Sequence, residues 1–188
     1  MMTSRMVISL MLIFAAAGIA DASIVFDGKQ IEFEDWFGSG SFETAIVVDF
    51  WPGNGQADSF AFGYYFDATD LVLKDVLDDL HQIDNGFSYA LGKGFLTDIW
   101  YEKGSVTYHS TYNWPDSWWS QWLSTDQVNW DFGNGLEFTS VADGSIHGLL
   151  AKPGDDWTSV PVVPTVPEPA TISLLGIGIM LLLRKRRA

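Results

Sequence analysis

Five of the nine tryptophans lie between residues 114 and 130, at 114, 118, 119, 122 and 130. Asn113, Asp116, Gln121 and Asn129 are interleaved with them. These are the side-chain types of a sugar platform: flat rings stack on C–H surfaces while amides and carboxylates take hydroxyls. Trp114, Trp118, Trp119 and Trp122 are therefore candidate glycan-binding residues, with extracellular polysaccharide the candidate partner. That reading requires Trp118, Trp119 or Trp122 to face solvent. The competing reading is core: in a domain without disulfides, Trp is the largest apolar filler available.

Covalent chemistry has little to work with. The chain has no cysteine, which removes thiolate nucleophiles, thiolate metal sites and disulfides together. No Gly-x-Ser-x-Gly elbow occurs, and the three histidines, at 81, 109 and 147, show no His-x-x-x-His spacing. A secreted hydrolase would need His109 or His147 to meet a serine, or two carboxylates such as Glu32 and Glu34 to converge. The expectation is no catalytic residue, no metal and no cofactor: not an enzyme, with a hydrolase kept as an alternative.

Strands carry most of the middle of the chain. Two short apolar stretches around Asp27-Gly28 suggest a hairpin. Residues 45–50 (Ala-Ile-Val-Val-Asp-Phe) read as a central strand buried on both faces. Phe60, Phe62, Tyr64 and Phe66 alternate along a second strand. Glu102-Lys103-Gly104 turns a later hairpin. One segment changes period: Leu73, Val76, Leu77, Leu80 and Ile83 fit an amphipathic helix over about 70–84, which Thr69 or Asp70 can cap. The fold expected is α+β, a mostly antiparallel sheet with that helix across one face. An all-β sandwich with a single connecting helix is the alternative.

The two ends differ from the middle. Arg5 precedes an apolar run that ends at Ala20-Asp21-Ala22, which predicts a signal helix over residues 1–22, cleaved between Ala22 and Ser23. At the other end, residues 159–169 form a proline-punctuated linker containing Pro167-Glu168-Pro169. Residues 170–183 carry no charge and no polar face; as helix they span ~21 Å, short of the ~30 Å hydrocarbon core. A transmembrane helix is nevertheless expected there, because Arg184, Lys185, Arg186 and Arg187 follow as a basic stop that can snorkel and hold residues 184–188 on the cytoplasmic side. Residues 23–158 are then an exported β-rich domain. From 23 to 169 there are five lysines against 23 aspartates and glutamates, a formal −18, which excludes nucleic acid as a natural partner.

In this order (Pro-Glu-Pro, apolar span, Arg-rich end) the tail resembles the PEP-CTERM sorting signal of bacterial envelope proteins. The resemblance implies recognition by an exosortase, a membrane-embedded cysteine transpeptidase, with cleavage near Pro167, Glu168 and Pro169. The chain is then membrane-anchored until processed, and afterwards at the cell surface or extracellular. The body is similar to an uncharacterised class of exported bacterial proteins carrying the same tail, on the 44–50 and 59–64 strands, the helix after Asp70 and the Trp118-Trp119 to Trp122 cluster. That likeness brings no activity. A structural or interaction role in the envelope or biofilm is the function expected.

Overall fold

A computed structural model describes residues 24–50 and 58–166. In chain order the elements are β1 (Val25–Phe26), β2 (Lys29–Gln30), β3 (Phe33–Gly38), β4 (Phe42–Phe50), β5 (Ser59–Phe66), α1 (Leu73–Ile83), β6 (Phe87–Gly92), β7 (Phe95–Lys103), β8 (Val106–Thr111), β9 (Ser117–Ser124), β10 (Asp131–Phe132) and β11 (Ile146–Pro153). The expected α+β class is corrected by this: the described chain is mostly β, with one 11-residue helix. The expected signal helix (1–22) and the expected transmembrane helix (170–183) lie outside the described residues. So do residues 51–57. Among the described residues no helix is long and apolar enough to cross a membrane.

The larger sheet runs β10-β9-β11-β4-β5-β3, and it is mixed, because β11 pairs with β4, and β3 with β5, in parallel. The smaller sheet is the meander β6-β7-β8. Alternation decides which side chains meet between them. From β5, Phe60, Phe62, Tyr64 and Phe66 point inward and pack with Phe87, Ile99 and Tyr101 of the smaller sheet. Trp119 joins the same core and donates its indole N–H to the Ser110 carbonyl, 3.2 Å away on β8.

The opposite face of the larger sheet is also covered, which is why Thr44 to Phe50 of β4 is buried throughout. Ala45, Val47, Ala61 and Ile146 pack there against Ile24 and Ile31, with Phe26, Trp36, Trp130 and Val163 around them. The β1–β2 hairpin forms as the sequence suggests, with Asp27 and Gly28 both at positive φ in its turn.

The helix is shorter than expected at its start. Leu71 and Val72 are extended and pair with the 139–141 segment: the Val141 N–H donates to the Leu71 carbonyl and the Leu73 N–H to Thr139, each at 2.9 Å. A backbone committed to those bonds cannot turn into a helix, so the cap falls on Val72. Its N–H is accepted by the Asp75 carboxylate at 3.1 Å instead of by a Thr69 or Asp70 cap. Leu73, Val76, Leu77 and Leu80 are buried as the period requires, whereas Ile83 is exposed. The acidic side of the helix is bound as well as wet, since Asp78 and Asp79 accept hydrogen bonds from the Tyr89 and Tyr64 hydroxyls.

Candidate functional site

Strand alternation splits the tryptophan cluster. Trp119 points into the core, edge-on to Phe50 with ring centres 5.8 Å apart. Trp118 and Trp122 lie on the other side of β9. There Trp122 is buried against Phe132 (4.7 Å) and donates its N–H to the Ser120 hydroxyl at 2.9 Å. Trp118 is half-buried, and Trp114 is 51% exposed. The four candidate residues therefore do not share one exposed face.

What lies open is a different row. The turn at residues 113–116 meets the turn at 153–156, tied by the Gly154 N–H to the Asp116 carbonyl at 3.1 Å. This contact brings Trp157, 59% exposed, against Trp114 (6.2 Å) and Trp118 (4.8 Å), and Trp118 in turn stacks on Phe132 (6.4 Å). Sequence reading missed Trp157 and Phe132. Phe132 alternates with Trp130 and was legible as a strand position, but the placement of Trp157 depends on a turn-to-turn contact between segments 40 residues apart, for which sequence carries no local signal.

Lys152 lies beneath this row, buried, although its strand is otherwise apolar apart from His147. Its ammonium stands 4.6 Å from the Trp118 ring centre, 5.1 Å from Trp122 and 5.9 Å from Phe132, and donates to the Ser159 carbonyl at 3.4 Å. Three ring faces replace part of its lost hydration. Burial still lowers its pKa, and the neighbouring Asp156 opposes that. Beside the row opens a groove of about 800 Å³, between the β6–β7 tip and residues 132–136, lined by Phe95, Leu96, Tyr112, Trp118, Phe132 and Leu136.

Most of the polar groups proposed to take hydroxyls are already engaged. The Gln121 amide donates to Thr139 Oγ1 and accepts the Gly135 N–H, both at 2.8 Å, which pins the 133–139 loop. Asn113 donates to the Asp116 carboxylate at 3.2 Å, and Asn129 to Asp126 at 2.8 Å. The carboxyl of Asp126 is held well below the ordinary carboxylate range, chiefly by the Asn129 backbone and side chain, with Val128 adding a third hydrogen bond.

The histidines occupy three unlike settings. His81 donates from Nδ1 to the Phe87 carbonyl at 3.0 Å. His109 stacks on Trp100 at 4.6 Å with Asp98 3.5 Å away. His147 does meet a serine, Ser145, at 3.0 Å, but both are buried. The Ser145 hydroxyl donates to the Ala142 carbonyl at 2.7 Å, and the Nδ1 of His147 has no partner among the described residues to orient it. Burial lowers the His147 pKa to about 4, so the ring is neutral at pH 7. Glu34 is in an ion pair with Lys103 at 2.7 Å. Among the described residues no group of three His, Asp or Glu side chains gathers in a way that could hold a metal ion.

Pro167, Glu168 and Pro169, the signal cleavage pair Ala22 and Ser23, and the basic stop Arg184, Lys185, Arg186 and Arg187 lie outside the described residues. The approach to the sorting motif does not. Residues 161–166, the middle of the segment expected as a linker, lie against the outer face of the larger sheet, with Pro161 buried.

A β-rich acidic body joined to a proline-punctuated, apolar and then basic tail defines an exported protein addressed by its C-terminus. The PEP-CTERM protein-sorting motif matches residues 165–187, and the chain is accordingly an exosortase substrate: exported, held at the membrane until cleavage, and delivered to the cell surface. No curated protein and no solved structure matches the chain.

Proposed function

We propose that the exported body is a structural or interaction component of the cell envelope or its surrounding matrix, acting through non-covalent contacts and without catalysis. The sorting motif at residues 165–187 is the observation that carries this reading. It is supported by the body's polar inventory: Glu34, Asp78, Asp79, Asp126, Gln121 and His147 are each committed to an internal contact.

Mass spectrometry of the surface-exposed protein is expected to find a chain that starts after Ala22 and ends near Pro167. Replacing Pro167, Glu168 and Pro169 by alanine should leave the full tail attached and the chain in the membrane fraction. Intact chain in the cytosol, with both ends still present, would overturn the reading.

A second reading, glycan binding, is favoured by the Trp114–Trp157–Trp118–Phe132 row beside the groove, in which Trp114, Trp157 and Phe132 are exposed. Each stacked ring contributes about 0.5–1.5 kcal/mol. The pair Trp114→Ala and Trp157→Ala should therefore weaken retention on extracellular polysaccharide roughly tenfold, measured by affinity electrophoresis. Failure of the wild type to be retarded by any such polysaccharide removes this reading.

A further inference from the structure

Residues 161–166 form a strap that ends one position before Pro167. Inside β4, Asp49 Oδ2 accepts the Val162 N–H at 2.8 Å, and the Ser59 hydroxyl donates to the Val162 carbonyl. Further along, the Glu32 N–H donates to the Pro164 carbonyl at 2.9 Å and the Val166 N–H to the Gln30 carbonyl at 3.0 Å, with Thr165 bridged to Ile31. Pro161 is seated on Gly148, where a Cβ would stand 2.4 Å from the proline Cγ. Val163 fills the outer apolar cluster. The strap thus interleaves hydrogen bonds at Val162, Pro164 and Val166 with apolar contacts at Pro161 and Val163.

A chain segment held by its backbone groups on one protein is not free to be gripped by another, because recognition of extended peptides uses those same groups. We propose that the docked strap gates the sorting motif: with residues 161–166 on the sheet the motif is a poor substrate, and release of the strap makes it a good one. This rests on exosortase processing of the tail. Four Cα steps separate Val166 from Ala170, at most about 14 Å even when extended. The docked strap therefore also holds the folded body close to the membrane, where it obstructs the approach to the motif. Asp49 and Gly148 are positioning residues that set the balance between docked and free.

The test is pulse–chase of the full chain in cells that carry the processing enzyme, beside cells that lack it. Gly148→Ala drives a methyl group into Pro161. Val162→Pro removes the N–H that Asp49 accepts and leaves the body's own sequence intact, so it carries the test if Gly148→Ala disturbs folding. Hydrogen exchange at the Glu32 and Val166 amides reads docking. Losing one such bond is expected to speed exchange and shorten the precursor half-life roughly fivefold. A precursor half-life unchanged or lengthened while exchange quickens overturns the gate. Unchanged exchange in both variants overturns it too, since the strap would then not depend on these contacts. A wild-type precursor that is never shortened in enzyme-bearing cells refutes the processing of the tail instead.

Discussion

Phe62→Ala is expected to remove about 3–5 kcal/mol of stability, the usual loss for a buried Phe, whereas Phe95→Ala should change it by no more than about 0.5 kcal/mol. Both residues are strand phenylalanines in an aromatic-rich domain, and composition cannot distinguish them. Phe62 is 1% exposed on β5, with ring centres 6.2 Å from Phe37, 5.7 Å from Phe87 and 5.1 Å from Tyr101, the last edge-on at 88°. It therefore joins the two sheets, and truncation leaves a cavity walled by side chains of both. Phe95, 75% exposed at the rim of the groove, has no such role. Because a domain's whole stability is about 5–15 kcal/mol, the first variant should be close to unfolding at 37 °C. Urea unfolding of the full chain in mild detergent, followed by tryptophan fluorescence, compares them. Equal losses from the two variants would mean the sheets are not coupled through Phe62.

The second large effect is a pH dependence concealed by compensation. Burial, with Asp58 adding and the Val162 hydrogen bond opposing, raises the Asp49 carboxyl from 3.8 to about 6. Between those values the unfolded chain ionises first, so this group's contribution to stability is present at pH 4 and is lost as pH rises through about 6. His147 runs the other way. Burial lowers its pKa from 6.5 to about 4, and its contribution, present above pH 6.5, is lost as pH falls through about 4. Each change amounts to roughly 3 kcal/mol, and across pH 4–6 the two slopes offset one another.

Asp49→Asn keeps an acceptor for the Val162 N–H but cannot ionise. Its stability should therefore rise by about 3 kcal/mol between pH 4 and 6.5, while the wild type stays nearly level. His147→Leu should show the mirror image, falling over the same range. Glu43, also raised by burial with Asp143 contributing, is common to all three proteins and drops out of the differences. Parallel pH profiles for the wild type and Asp49→Asn would show that Asp49 does not titrate as its burial requires.

Much of the architecture was legible because it is local. The Asp27-Gly28 turn, the alternation of Phe60 through Phe66, the buried run before Phe50 and the helical spacing of Leu73 through Leu80 each declare themselves within ten residues. The α+β expectation fails on weight, since the one helix is a single element packed among sheets and not a layer. Its start moved inward because Leu71 and Val72 pair with a segment about 70 residues away, a partner that periodicity cannot reveal. The candidate tryptophans were separated for a similar reason. Alternation along β9 sends Trp119 one way and Trp118 with Trp122 the other, but which side was solvent depended on the strands beside it.

By itself, then, the sequence determined the destination of this protein, because an address read by other machinery has to be written in contiguous residues, and the tail at 165–187 is contiguous. Tertiary structure alone decided what the body presents there. Only folding set Lys152 beneath three rings, brought Trp157 to Trp114, buried His147 beside Ser145, and laid residues 161–166 across Asp49 and Gly148. Ser145 and His147 are neighbours in the chain and need the fold only for their burial. The other contacts join residues whose proximity follows from sheet order, and sheet order is settled by the burial of all the strands together, not by any one of them.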